Sequence, residues 1–185
     1  MSPSPVRATR SDAIENRRQL IDQAREAFAE SGEVSMTAIA KRAGVGVGTL
    51  YRHFPTREAL IVAVYNSEIE KLAALAPALL EKHSPIEALR LWFDRLAYYG
   101  QLKYGVSEVI HAAPSSGAEH DAYELIIGAI ASLLAAGENA GELKPGLDPD
   151  DVLLMVAFLW RIDPGKGSED KAARMLDLLV AGLRA

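Results

Sequence analysis

The apolar residues of this chain recur at three- and four-residue intervals along most of its length, which is the spacing of one face of an α-helix. A first helix is expected over residues 11–31. Its apolar stripe comprises Ile14, Leu20, Ile21, Ala24, Ala27 and Phe28. No stretch stands out with the strict alternation of a half-buried strand, so the pattern predicts an all-α fold.

Two short helices joined by a tight turn are predicted next. Ser35 is a favourable N-cap for the first of them, and Gly44 stands where a helix C-terminus favours a residue that tolerates positive φ. The second helix is expected over residues 47–53 and ends before Pro55, because the residue preceding a proline disfavours helical geometry. The residues expected to pack inward are Val45, Leu50, Tyr51 and Phe54. Two short helices with a glycine in the turn are typical of a helix-turn-helix motif.

Further helices are predicted in the rest of the chain. A helix capped by Thr56 is expected to kink or break at Pro77, because proline removes a backbone donor and clashes with the preceding turn. Pro85 stands at the first position of the next helix, where proline is favoured. Gly100 interrupts the pattern, so residues 101–112 are expected to form a separate, shorter helix.

The last three predicted helices are rich in apolar residues. The helix over residues 118–140 is apolar nearly all round, which predicts that it is buried. Asp148 is expected to cap a helix that runs to residue 162, and Ser168 to cap the final helix over residues 169–183. Residues 1–10 show no such periodicity and are expected to form a disordered arm.

Charge is distributed unevenly along the chain. Residues 35–57 contain four basic residues and no acidic one, although the chain of 185 residues has a net charge of -5. Residues 1–57 hold nine basic and six acidic residues, a net charge of +3, whereas residues 58–185 hold eleven and nineteen, a net charge of -8. A basic end on an acidic protein is typical of a protein that presents only that end to DNA.

The predicted helix-turn-helix offers several groups to DNA, since the N-terminal residues of a recognition helix enter the major groove. Thr49 and Tyr51 carry hydroxyls for phosphates, Val47 can contact a thymine methyl, and Arg42 can reach a guanine edge or a phosphate. The predicted DNA-binding residues are Ser35, Arg42, Val47, Gly48, Thr49, Tyr51, Arg52, His53 and Arg57. The alternative is a helical hairpin with a basic solvated face, but the turn, the glycines and the acid-free window coincide, which favours DNA binding.

The stretch AGVGVGTLYRHFPTREAL closely resembles the DNA-binding motif of the tetracycline-repressor (TetR) family of bacterial regulators. The matching pieces are Ile39–Ala40, Ala43–Gly44–Val45, Gly48–Thr49–Leu50–Tyr51, His53–Phe54, and Arg57 with Leu60. The resemblance implies a three-helix DNA-binding unit followed by an all-helical ligand-binding and dimerisation domain, and a homodimeric repressor released from its operator by a small ligand. Gly46 departs from the family, whose members usually carry serine at this N-cap, so a hydroxyl contact to phosphate is lost.

The domains are expected at residues 11–55 for DNA binding and 56–185 for ligand binding and dimerisation.

Two open questions concern the second domain: where it binds its ligand and how it dimerises. A mainly apolar pocket for a small hydrophobic effector is predicted from Trp92, Phe93, Leu96, Tyr99, Tyr123, Ile127 and Phe158, although aromatic residues at helical spacing are more often core. The last two helices are expected to form a four-helix bundle with a two-fold copy, rather than only to wrap their own core. The interface residues are Val152, Met155, Val156, Leu159, Leu176, Leu179, Val180 and Leu183.

Other chemistry is not indicated. The chain has no cysteine, and its four histidines lack metal-ligand spacing. The glycines of residues 44–48 follow a helix rather than a strand, unlike a dinucleotide loop. No signal peptide or membrane span stands out, so a cytoplasmic protein is expected, without enzyme activity, metal or cofactor.

Together with the helix-turn-helix and the family resemblance, the sequence predicts a ligand-responsive regulator, most simply a repressor, that binds a near-palindromic operator in double-stranded DNA as a homodimer. The alternative is a helical dimeric small-ligand-binding protein that does not regulate DNA.

Overall fold

The computed structural model describes residues 10–30, 34–104, 118–162 and 165–185. These ranges form α1 (Arg10–Glu30), α2 (Met36–Arg42), α3 (Val47–His53), α4 (Arg57–Leu80), α5 (Pro85–Tyr104), α6 (Ala118–Asn139), α7 (Pro149–Val156), a 3₁₀ helix (Ala157–Arg161) and α8 (Ser168–Leu183). The β-type pairing within them is a single bridge between Leu143 and Arg184. The prediction of an all-α fold is confirmed. The predicted N-terminal arm lies outside the described residues, apart from Arg10.

The described residues divide into two compact units at Tyr65 and Asn66, within α4. We call residues 10–65 the N-terminal unit and residues 66–185 the C-terminal unit. The first turns of α4 therefore belong to the N-terminal unit, where Leu60 is fully buried. The domain boundary at residues 55 and 56 stays a prediction.

The core of the N-terminal unit joins the first three helices to the start of α4. Its buried residues are Leu20, Ile21, Ala24, Ala27, Met36, Ile39, Ala40, Leu50, Phe54 and Leu60. Most of the predicted stripe of α1 is therefore confirmed. Ile14 is an exception, since it is 64 % exposed. The buried part of α1 begins at Leu20, almost two turns further along the helix.

Local sequence explains the ends of these helices. The Ser35 hydroxyl accepts a hydrogen bond from the amide of Ala38 at 3.2 Å, as an N-cap does. Gly44 has a φ of +67°, a conformation that residues with a Cβ rarely adopt. Phe54 is not helical, as its position before a proline predicts. Two predictions were wrong: Tyr51 does not pack inward, and Val45 is only half-buried.

Helices α4 and α5 do not break at Pro77 and Gly100, and the alternative of a kink at Pro77 stays a prediction. Helix α4 continues past Pro77 to Leu80, and the amide of Glu81 donates to the Pro77 carbonyl. A proline within the last turn removes one hydrogen bond, which the packing of a 24-residue helix tolerates. Helix α5 likewise runs through Gly100 to Tyr104, because one glycine costs a helix only about 1 kcal/mol. Residues 101–104 therefore belong to α5, and the rest of the helix predicted over residues 101–112 lies outside the described residues.

The C-terminal unit is built around α5, which packs against α6, α8 and the 3₁₀ helix. Trp92 and Phe93 are fully buried in this core, and the Trp92 indole donates to the Leu72 carbonyl at 2.9 Å. Helix α6 is buried on one face only, since Tyr123 and Leu125 are exposed. The prediction that α6 is buried all round was therefore wrong.

The last two predicted helices differ in detail. Asp148 caps α7 as expected, because its carboxylate accepts from the amide of Asp150 at 2.8 Å. The α-helical geometry ends at Val156, and the 3₁₀ helix continues to Arg161. Ser168 is the first residue of α8 and not its N-cap. That position is taken by Gly167, whose φ is +87°.

The turn that follows α6 packs against Gly137 of that helix. Leu143 is buried against Gly137, and a Cβ built on Gly137 would lie 2.5 Å from Leu143 Cγ. The amide of Leu143 also donates to the Gly137 carbonyl at 3.2 Å. Leu143 itself pairs with Arg184, near the C-terminus, through the β-bridge. Gly137 is thus required by a close contact and not by its φ.

We expect Gly137→Ala to lower the free energy of unfolding by about 1–3 kcal/mol, because the buried Leu143 side chain would have to move. Gly128→Ala is the matched control. Gly128 also lies inside α6, but a Cβ there would meet no atom within 4 Å. It should raise the stability by about 0.5–1 kcal/mol. Urea unfolding followed by circular dichroism measures both, and equal stabilities for the two variants would contradict the close contact.

Candidate nucleic-acid interface

Helices α2 and α3 are joined by a tight turn of residues 43–46. The amide of Val45 donates to the Ala40 carbonyl at 3.0 Å, which turns the chain back over the end of α2. The amides of Thr49 and Leu50 then donate to the Gly46 carbonyl at 2.8 and 3.2 Å, which begins α3. Gly46 is the N-cap and has no side chain with which to cap the helix. Burial of Leu50 fixes which face of α3 points outward.

The outward face of α3 consists of the residues predicted from the sequence. Val47, Gly48, Tyr51 and Arg52 are exposed, and Thr49 and His53 are half-buried. Tyr51 is 47 % exposed, so about half of this residue is accessible to a ligand. This face carries no acidic side chain. It can therefore meet a polyanion without like-charge repulsion from its own residues.

Gly48 has no structural reason to be a glycine. It lies within α3, its φ is not positive, and a Cβ at this position would meet no atom within 4 Å. A glycine inside a helix is destabilising by roughly 0.5–1 kcal/mol relative to alanine. The lack of a side chain does allow another molecule to approach the α3 backbone closely. Glycine at this position therefore lowers the stability of the helix but suits close contact with a ligand.

Arg52 folds back along α3 towards its N-terminus. Its Nε donates to the Gly48 carbonyl at 3.2 Å, and its Nη2 donates to Thr49 Oγ1 at 3.0 Å. The sequence predicted Arg52 and Thr49 as separate contacts, because spacing alone does not show which rotamer a long side chain adopts. The structure joins the two side chains directly.

Arg42 is not free on the surface. Its Nη2 lies 2.6 Å from Glu30 Oε2, in an exposed ion pair that joins α2 to the end of α1. The hydrogen bond and the charge of Arg42 lower the pKa of the Glu30 carboxyl, and Glu30 in turn raises the pKa of Arg42. The acid-free window of residues 35–57 missed this carboxylate, because Glu30 lies outside it. A phosphate contact by Arg42 would have to compete with Glu30.

Arg57 and Ser35 contact their own chain. The Arg57 guanidinium donates to the Val34 carbonyl and lies over the Phe28 ring, 4.9 Å from its centroid. Ser35 caps α2, as described above. Arg57 thus contacts Phe28 near the end of α1 and Val34 just before α2, and Ser35 caps α2 itself. Their DNA contacts stay a prediction, and the structure gives each of them a structural role as well.

Arg17, which the sequence offers together with Arg18 as a phosphate contact near the start of the first helix, lies beside the end of α3. Its guanidinium lies over the ring of Phe54, 5.3 Å from the centroid, and its side chain is exposed. A cation over an aromatic face is held in place without losing its charge. Neighbouring Arg18 instead pairs with Asp22 at 3.9 Å. The contact between Arg17 and Phe54 spans distant parts of the sequence, so spacing within α1 does not reveal it.

The predicted ligand-binding residues do not share one environment. Trp92, Phe93 and Leu96 are buried in the core, and Ile127 and Phe158 are half-buried. Tyr123 is exposed and donates to Asp150, a contact that raises the pKa of the tyrosine. The side chain of Tyr99 lies outside the described residues. An open groove of about 560 Å³ lies between α5 and α8, and it is lined by His83, Ile86, Glu87, Arg90, Leu91, Asp177, Val180, Ala181 and Arg184.

The predicted dimer residues are mostly enclosed by their own chain. The buried ones are Val152, Val156, Leu159, Leu176, Val180 and Leu183. Leu179 is half-buried, and Met155 is 44 % exposed. The sequence missed two leucines on the same helices: Leu154 is 74 % exposed and Leu178 is 75 % exposed. Both helices are apolar on several sides, so periodicity alone did not show which leucines point outward.

The described residues contain no group of three or more histidine or acidic side chains that could hold a metal ion. Over the same ranges, every helix is too short or too polar to cross a bilayer. The candidate site is therefore the exposed face of α3 and its surroundings in the N-terminal unit.

A short helix packed across a second one through a glycine turn, with a basic outward face, defines a helix-turn-helix DNA-binding protein. Residues 20–64 match the family described as bacterial regulatory proteins, tetR family, and residues 84–185 match the C-terminal domain of SbtR-like transcriptional regulators. The chain belongs to the TetR family of transcriptional regulators.

Individual relatives agree with this assignment. A TetR transcriptional regulator from Streptomyces coelicolor is 37 % identical, with a TM-score of 0.77 over 91 % of this chain and 98 % of that one. A TetR regulatory protein from Mycobacterium vanbaalenii is 30 % identical, with a TM-score of 0.75 over 95 % and 99 %. An HTH-type transcriptional regulator of Staphylococcus aureus is 34 % identical over 93 residues. That match spans about half of each chain, 49 % of this one and 50 % of the relative.

We expect Arg57→Ala to lower the free energy of unfolding by about 2 kcal/mol, because the Val34 carbonyl loses a charged donor and the Phe28 ring loses its cation. Arg18→Ala is the control, since within the described ranges Arg18 forms an exposed ion pair with Asp22 of the same helix. It should change stability by less than about 0.5 kcal/mol. Urea unfolding measures both. Equal, small losses would show that the contacts of Arg57 with Val34 and Phe28 do not stabilise the protein.

Proposed function

We propose that the protein is a ligand-responsive regulator, most simply a repressor, that binds a near-palindromic operator in double-stranded DNA as a homodimer. The observation that supports DNA binding best is the outward face of α3, which is exposed, free of acidic side chains and open at Gly48. We propose Val47 and Gly48 for base contacts, and Thr49, Tyr51, Arg52 and His53 for the backbone. As a regulator of bacterial genes, the protein would act in the cytoplasm.

Phosphate contacts would supply most of the affinity in this arrangement. The exposed guanidinium groups of Arg17 and Arg52 and the hydroxyl of Tyr51 are the groups best placed for them. Such contacts release counterions, so binding weakens steeply as salt rises. Base contacts then decide which sequence is bound.

Selection of bound sequences from a random DNA pool, at a stated salt concentration, tests this function. The expected result is an enriched palindrome with half-sites about one DNA turn apart, roughly 34–36 Å. Binding should also fall steeply with added salt. A folded protein that is not retained on any DNA at low salt would support the alternative, a helical dimeric ligand-binding protein without DNA regulation.

Gly48→Ala should separate stability from DNA binding. Alanine favours the helix and has space in the free protein, so the free energy of unfolding should rise by about 0.5–1 kcal/mol. The added methyl group would occupy the space that DNA needs, so affinity for duplex DNA should fall about tenfold or more. Fluorescence anisotropy with a labelled duplex measures the affinity, and thermal unfolding measures the stability.

Gly128→Ala is the matched control for this variant. Gly128 is an exposed glycine inside α6, with equal space for a Cβ, and it lies in the C-terminal unit. Its substitution should stabilise the protein to a similar extent and leave DNA affinity unchanged. If Gly48→Ala binds DNA as tightly as Gly128→Ala, close approach to α3 at Gly48 is not part of the interface.

For the homodimer we propose an interface on α7 and α8, which pack against each other. Leu154, Met155 and Leu178 are the large apolar side chains that these helices leave exposed. A two-fold axis would place the same patch of each copy against the other. The predicted interface residues that are buried within each protomer would then lie beneath these exposed side chains and pack against them. Leu179, which is half-buried, would lie at its edge.

The variant Leu154→Glu/Leu178→Glu should shift the protein from dimer to monomer in analytical ultracentrifugation, because two carboxylates would be buried without partners. Both side chains point into solvent, so the protomer should still fold. Ile14→Glu is the control, since Ile14 is an exposed apolar residue of α1 in the N-terminal unit. It should remain dimeric. A dimer in all three proteins would place the interface elsewhere.

The effector is proposed to be a small hydrophobic molecule that binds within the C-terminal unit. Ile127 and Phe158 are half-buried there and are the best remaining candidates for contact with it. Such a ligand releases DNA only by its difference in affinity between the DNA-binding and the released states. Binding of effector and operator would therefore weaken each other to the same extent.

A further inference from the structure

The side chains of Arg52 and Thr49 form a hydrogen-bonded pair on α3, and this pair uses only some of the donors of Arg52. A guanidinium has five N–H donors in a fixed fork and no acceptor. Two of these donors are used within the helix, by Nε on the Gly48 carbonyl and by Nη2 on Thr49 Oγ1. The three remaining donors belong to an exposed side chain. Arg52 thus keeps hydrogen-bonding capacity while its rotamer is held by its own helix.

The contact also determines what the Thr49 hydroxyl can do. A hydroxyl has one donor and two acceptor lone pairs, and its hydrogen rotates to suit its partners. The Arg52 donor at 3.0 Å occupies one lone pair. The hydroxyl hydrogen must then point elsewhere, and in the described part of the chain it makes no second hydrogen bond. The hydroxyl is therefore available as a donor.

We propose that Arg52 is a positioning residue that orients the Thr49 hydroxyl as a donor to a DNA phosphate oxygen. The two side chains then bind one phosphate together, Thr49 through its hydroxyl and Arg52 through its remaining N–H groups. The positive charge strengthens the hydroxyl as a donor, because hydrogen bonds in a chain polarise one another. This inference rests on the proposed DNA-binding function and names how that site holds its phosphate.

The pair predicts that the contributions of Thr49 and Arg52 are not additive. A double-mutant cycle measures such coupling directly. Thr49→Val removes the hydroxyl at nearly constant volume. Arg52→Lys keeps the charge but loses the planar fork that reaches Gly48 and Thr49 together. The probe is a fluorescein-labelled duplex of mixed sequence, and the dissociation constant is measured by anisotropy at several KCl concentrations.

Thr49→Val alone should weaken binding about tenfold, the loss of a charge-assisted hydrogen bond. In the Arg52→Lys protein the same change should weaken binding less than about twofold, because lysine no longer orients the hydroxyl. Thr49→Ser keeps the hydroxyl and should bind like the unchanged protein. Arg52→Gln should lower the slope of log affinity against log salt by about one, whereas Thr49→Val should leave the slope unchanged.

Each way in which the proposal can fail gives a different pattern of dissociation constants. Equal losses from Thr49→Val in both backgrounds would overturn the pairing, since Arg52 would then act by charge alone. Binding that is lost with Thr49→Ser as well would also overturn it. If the unchanged protein fails to bind the duplex at low salt, the proposed function itself is wrong. Thermal unfolding of each variant controls for folding. Because Thr49 is half-buried, Thr49→Ala replaces Thr49→Val if the valine variant does not fold.

Discussion

The geometry of the DNA-binding unit depends on one backbone conformation, the positive φ of Gly44. It allows the chain to leave α2 at once, so that the amide of Val45 reaches the Ala40 carbonyl and α3 begins after Gly46. Leu50 and Phe54 are then delivered to the core formed with α1 and α4. A helix of seven residues is not stable in isolation. The orientation of α3 is therefore maintained by the turn and by these buried side chains.

Features with local causes were predictable from the sequence. Ser35, Thr56 and Asp148 act as the predicted N-caps, because the side-chain oxygen of each accepts from an amide of the first helical turn. Ser168 is the exception, since α8 begins one residue earlier than predicted and Gly167 is its N-cap. Helix breaks at Pro77 and Gly100 were not predicted correctly, because a cost of a few kcal/mol at one residue is small beside the packing of a long helix. Local propensity decided the helix ends, and tertiary packing decided whether a helix continued.

In the candidate site, too, the features with local causes were predictable and the contacts between distant residues were not. Which residues of α3 point outward follows from the burial of Leu50, and the sequence pattern was enough to predict Val47, Gly48 and Arg52 on the exposed side. The partners of the arginines were not predictable. Arg42 with Glu30, Arg57 with Phe28 and Arg17 with Phe54 join residues that come together only in the folded unit. Similarly, Leu154 and Leu178 could not be told from their buried neighbours.

The ion pair between Arg42 and Glu30 has a consequence for how related regulators are compared. The charge that a helix-turn-helix presents is usually judged from its own residues, yet here a carboxylate at the end of α1 offsets one of its cations. Two proteins with identical residues 35–57 would thus differ in their attraction to phosphate if residue 30 differed. Selection could tune occupancy of many genomic sites at that position while leaving every base-contacting side chain unchanged.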